Sequence, residues 1–82
     1  MYTIFIDISD ILKVKSFVNI ACKYNFEISL SSGKHIVNAK SIIGILSLDL
    51  NKPIQVTIQQ STNHEDFVEE IKNFIIPIKE NV

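Results

Sequence analysis

Apolar and polar side chains alternate over residues 2–8, with Tyr2, Ile4, Ile6 and Ile8 on one face and Thr3, Phe5 and Asp7 on the other. A period of two with β-branched residues predicts a strand. Phe5 interrupts the polar face and reads as a scattered surface aromatic. Ser9-Asp10 then punctuates the chain. Either side chain can cap a helix by accepting a free backbone N–H of its first turn. From Ile11 the period changes. Val14, Phe17, Val18 and Ala21 recur at helical spacing, while Lys13, Lys15, Ser16, Asn19 and Lys23 take the other face. This predicts a one-faced helix of about three turns. Cys22, near its end, reads as a small packed side chain.

Phe26, Ile28 and Leu30 alternate with Glu27 and Ser29 as a second strand. Ser31-Ser32-Gly33-Lys34 forms a turn in which Gly33 can take positive φ. His35, Ile36, Val37 and Asn38 return as a third strand, closing a hairpin. Ser41 opens a short helix, and Leu50-Asn51-Lys52-Pro53 ends that region. Ile54, Val56 and Ile58 alternate with Gln55, Thr57 and Gln59 as strand four. Thr62 with Glu65, or Asn63 with Asp66, has capping-box spacing. Phe67, Val68, Ile71, Phe74 and Ile75 then form the stripe of a last helix, which Pro77 cannot continue.

The order is β-α-β-β-α-β-α. Each strand has one apolar face and each helix one apolar stripe. One antiparallel four-stranded sheet with three helices on one face satisfies both, leaving Thr, Gln, Glu and Ser on the solvated face. The fold class is therefore α+β, an open-faced β-sandwich.

Eighty-two residues, 46% hydrophobic and 21% charged, predict a single globular domain over residues 1–82. A net charge of −1 supplies no field that would draw the chain to nucleic acid or an anionic membrane. All eight basic residues are lysines, so no planar guanidinium is available to clamp a phosphate. One cysteine favours a reducing, cytoplasmic location. No apolar run approaches the ~20 residues of a membrane span. The first residues lack the basic stretch of a signal peptide.

The segment Val37-Asn38-Ala39-Lys40-Ser41-Ile42-Ile43-Gly44-Ile45-Leu46-Ser47-Leu48 resembles the regulatory-serine segment of HPr, the histidine-containing phosphocarrier family of the bacterial sugar phosphotransferase system. The resemblance covers the whole chain and is most specific from Lys23-Tyr24 through the Ser41 segment. It implies the same open-faced sandwich. HPr proteins carry a Gly-(Ile/Leu)-His-Ala-Arg-Pro-Ala loop whose histidine takes a phosphoryl group from Enzyme I. Aligned without gaps, that loop falls on Ile8-Ser9-Asp10-Ile11-Leu12-Lys13-Val14. Asp10 stands at the histidine position, Leu12 at the arginine and Lys13 at the proline.

This is a chemical gap, because the relay needs a nitrogen nucleophile that can hold and release phosphate. Asp10 has a simpler use as a helix cap. A second reading makes its charge a permanent imitation of phosphohistidine. His35 and His64 lie in separate elements and no ligand spacing accompanies them, so no metal or cofactor is expected. Both read as ordinary surface histidines.

Ser41 keeps its family context. The resemblance implies phosphorylation there by HPr kinase and recognition by a catabolite-control transcription factor. A phosphate at a helix N-terminus meets free N–H groups. A simple N-cap, worth about 1 kcal/mol, would also explain the serine. It does not explain Ile42, Ile43, Ile45, Leu46, Leu48 and Leu50 crowding so short a helix, since one side can bury only about half of them. By family position Ile43 and Leu46, beside Lys40, are the docking surface for Enzyme I, the kinase and the transcription factor. The resulting expectation is a non-enzymatic, HPr-like binding or regulatory module in which Ser41 is the switch. Two alternatives stand beside it: a phosphocarrier using Asp10 or a non-family histidine, and a self-association domain.

Overall fold

The computed structural model describes residues 2–58 and 64–76. Four strands, β1 (Tyr2–Ile6), β2 (Ile28–Ser32), β3 (His35–Asn38) and β4 (Ile54–Ile58), form one antiparallel sheet in the order β1-β4-β2-β3. Helices α1 (Ile11–Ala21), α2 (Ile42–Leu46) and α3 (Glu65–Glu70) supply the second layer. This is the α+β arrangement that the alternation predicted.

Register fixes which face is buried. Ile4 pairs with Val56 and Val56 with Leu30, while the neighbouring row runs Phe5–Gln55–Ser31–Ile36. Because side chains alternate, the first row meets the helices and the second lies on the open face. Ile6, Ile28, Leu30, Ile54, Val56 and Ile58 are buried against Val14, Phe17, Val18 and Ala21 of α1 and Phe67 and Ile71 of the last helical segment. Phe17 meets Phe67 and Phe74 edge-on at centroid separations of 6.0 and 6.1 Å. Edge-on rings at that distance add to area burial.

Several sequence expectations require correction. β1 stops at Ile6, although Ile8 remains fully buried. Phe26 precedes β2 and packs instead on Tyr24 and Phe67. β2 runs through Ser32, so only Gly33 and Lys34 turn. Gly33 takes φ +63° while Lys34 does not go positive, the pattern of a II′ hairpin. Cys22 is exposed rather than packed, because it lies one step beyond the buried Ala21 and turns about 100° from the stripe. The last helix is shorter than its stripe. α3 ends at Glu70, Lys72–Phe74 tightens to a 3-10 turn, and Ile75 is extended. There Ile75 bridges Ile6, Asp7 N–H donates to the Phe74 carbonyl at 2.9 Å and Ile76 N–H to the Phe5 carbonyl at 2.9 Å. The outer edge of β1 is thus partly covered by the chain itself. The capping-box positions Thr62 and Asn63, together with Gln59 and Pro77, lie outside the described residues.

Candidate functional site

The loop from β1 into α1 sets the first half of the site. One carboxylate oxygen of Asp10 accepts the N–H groups of Leu12 at 2.9 Å and Lys13 at 3.0 Å. Asp10, not Ser9, is therefore the N-cap of α1. Lys13 reaches back to Asp7 at 3.6 Å, an exposed pair worth little. Leu12 lies off the Val14–Phe17–Val18 stripe and is 70% exposed. In sequence Leu12 stands at the arginine position of the HPr loop. The off-stripe position was the signal that it would face solvent.

The second half is α2, which packs against both α1 and β3. Ser41 is its N-cap, with Oγ accepting Gly44 N–H at 3.1 Å. α2 itself carries four large side chains, and Leu48 and Leu50 lie beyond its end. Ile45 and Leu48 enter the core, and Ile42 and Leu50 are half-buried against it. Ile43 and Leu46 are left outside, 83% and 46% exposed. Gly44 lets the helix approach the sheet closely. A Cβ there would stand 3.3 Å from Val37 Cβ and 3.2 Å from Ser41 Oγ.

Lys40 sits beside this surface but its ammonium is occupied. Nζ donates to the Tyr24 carbonyl at 2.6 Å. Tyr24 in turn donates its hydroxyl to Glu70 at 2.6 Å, and Lys23 pairs with the other Glu70 oxygen at 2.7 Å. The bond to Glu70 raises the Tyr24 phenol to about 12, with burial and the charges of Glu70 and Asp66 adding to it. The bonds from Lys23 and then Tyr24 hold the Glu70 carboxyl below its usual range. Residues 46 apart make this bond, so local periodicity could not have announced it.

The two histidines lie on neither of these segments. His35 is exposed on β3, and His64 stacks on Tyr2 at a centroid separation of 4.5 Å. Among the described residues, no cluster of three or more His, Cys, Asp or Glu could hold a metal ion. Nor is any helix among them long and apolar enough to cross a membrane.

Comparison with known proteins places this geometry. The family pattern described as the PTS HPr component phosphorylation site matches residues 13–76. The chain belongs to the HPr family. It is therefore related to the phosphocarriers of the phosphotransferase system, proteins that act through contacts with other proteins. The HPr match begins at Lys13, past Asp10. In fold, the chain is similar to the crystal structure of HPr-C-His from Thermoanaerobacter tengcongensis, with a TM-score of 0.73. The two are 24% identical, and the similarity covers 89% of each chain.

Proposed function

We propose that this HPr-family chain is a binding and regulatory module of the phosphotransferase system rather than a phosphohistidine carrier. The observation that carries the reading is the pairing of Ser41 with a helix whose Ile43 and Leu46 stay outside the core. Apolar surface left on so small a protein marks a contact site. Leu12 on α1 adds to the same kind of surface. Asp10 supports the loss of the relay, because one of its carboxylate oxygens caps the start of α1 and the group offers no nitrogen nucleophile. Partners of this reading are HPr kinase, a catabolite-control transcription factor or an Enzyme I-like protein. Ile43 and Leu46 make the apolar contact and Lys40 flanks it.

Ser41 is the switch in this reading. Its Oγ accepts from Gly44 and so retains an O–H available for transfer. Incubation with HPr kinase and ATP, followed by intact mass, is expected to add one phosphoryl group to wild type and none to Ser41→Ala. An unmodified wild-type mass under conditions that modify a standard HPr would remove the switch.

Family membership favours a second reading, a carrier that uses Asp10 or His35. Incubation with Enzyme I and phosphoenolpyruvate separates the two. A label on wild type that is lost in Asp10→Ala or His35→Ala would support the carrier, and its absence the module. Light scattering on wild type and Ile43→Glu tests the remaining alternative, since a self-associating protein alone would change mass.

A further inference from the structure

The two edges of the sheet differ. The outer edge of β1 is engaged by residues 74–76 through two backbone hydrogen bonds and a bridge. The outer edge of β3 pairs with no strand among the described residues. Which of its polar groups point outward follows from the hairpin. Ser32 and His35 close a two-residue turn, so His35 and Val37 exchange bonds with β2 while Ile36 and Asn38 face away. Ala39 confirms the parity by donating its N–H to the Ile28 carbonyl at 3.0 Å. The Asn38 carbonyl is taken by Ser41 N–H at 3.0 Å. The N–H and C=O of Ile36 and the N–H of Asn38 remain directed outward.

The side chains around this edge are suited to a strand. Ile36 is β-branched and 72% exposed. On the open face over the β2–β3 pair, Ile36 borders a shallow groove of about 280 Å³ lined also by Glu27, Ser29, Asn38 and Lys40. His35-Ile36-Val37-Asn38 holds no proline and no charge that would obstruct pairing.

Charge decides what can sit there. Lys34 and Lys40 flank the strand on either side, the Lys40 ammonium bonded to the Tyr24 carbonyl, with one carboxylate, Glu27, at the groove. A second copy paired antiparallel about Ile36 would set Lys34 across from Asn38 and diagonal to Lys40 of its twin. Both ends of the pairing would then hold like charges. The flanking lysines that discourage a second copy favour a strand with carboxylates at its ends. We propose that the outer edge of β3 is a β-augmentation site for an extended peptide segment of a partner protein, apolar at its centre and acidic at both ends. Backbone groups of Ile36 would supply the pairing, its side chain the central contact, and Lys34 and Lys40 the choice of partner. This surface shares Lys40 with the contact face of α2 but uses neither Ile43, Leu46 nor Ser41.

The probe is a blocked heptapeptide, Glu-Thr-Val-Thr-Val-Thr-Glu, with Lys-Thr-Val-Thr-Val-Thr-Lys as its counterpart, titrated into the 15N-labelled full chain. The acidic peptide is expected to shift the amides of residues 34–38, to slow hydrogen exchange at Ile36, and to bind about fivefold more tightly than the lysine peptide, the size of two exposed ion pairs. Ile36→Pro removes an N–H that β2 does not use and should abolish the effect. Lys34→Glu, on the exposed turn, should abolish the preference between peptides without depending on how Ile36→Pro folds. No shift at residues 34–38 with millimolar acidic peptide would overturn the proposal. So would equal response to both peptides, shifts confined to α2, or the same amides moving with protein concentration alone, which would make the occupant a second copy.

Discussion

Tyr24 donates its hydroxyl to Glu70 at 2.6 Å, joining the segment after α1 to the last residue of α3. The same Glu70 holds Lys23, and the Tyr24 carbonyl holds Lys40. Three helical segments are thereby tied at one corner, beside the residue that precedes Ser41.

This corner has a titration signature. The Tyr24 phenol ionises near 12 rather than near 10. A tyrosine whose folded value is raised contributes stability that is complete below the unfolded value. That contribution is lost as pH rises through the folded one. Ultraviolet titration of wild type against Tyr24→Phe should isolate the transition near 12, and Glu70→Gln should move it back toward 10. Glu70 behaves in the opposite sense. Its depressed carboxyl contributes above the usual carboxylate range, and the contribution fades as pH falls through the folded value.

Asp10→Ala removes the acceptor of two helix-terminal N–H groups. The expected loss is about 1 kcal/mol of unfolding free energy, read by urea titration. Asp10→Asn should retain most of it, because an amide oxygen can still cap. If the position is purely structural, neither substitution will change any response to Enzyme I and phosphoenolpyruvate.

The two sides of α2 should separate energetically. Ile45 is fully buried, and Ile45→Ala should cost about 2–5 kcal/mol. Ile43 is largely in solvent, and Ile43→Ala should fall within about 0.5 kcal/mol of wild type. Denaturant midpoints for the pair test this. A contact role for Ile43 would then appear as lost partner binding in a protein of unchanged stability.

Gly44→Ala opposes two effects. Alanine gains about 1 kcal/mol of helix propensity over glycine. The new methyl would stand 3.3 Å from Val37 Cβ and 3.2 Å from Ser41 Oγ. Val37 is fixed by its strand, so the cap must yield. Overpacking of this kind costs about 1–3 kcal/mol, and the net result should be a modest loss of stability. A melting temperature above wild type would show that the serine side chain relocates without penalty.

The elements were legible where one period dominated. Val14, Phe17, Val18 and Ala21 are buried as their spacing required, and Ser41 caps the helix it opens. The exposure of Ile43 and Leu46 was also readable from the crowding, although α2 holds only four of the six large side chains and Leu48 and Leu50 follow its end. What local pattern could not supply was anything decided across the fold. The break after Glu70 follows from residues 74–76 reaching the edge of β1, a partner far away in the chain. Cys22 was misplaced because it follows Val18 by four residues, a packed spacing, whereas the step past Ala21 at the helix end carries it off the stripe. The occupied Lys40 ammonium needed the position of the Tyr24 carbonyl, which only the packed corner provides.

Residues 74–76, stitched along β1, also limit how this sheet can grow. With that flank engaged, an added strand has the opposite margin as its open berth. Copies of the chain that met at that margin would present outward only their β1 flanks, which residues 74–76 obstruct, so stacking into a fibre is hindered.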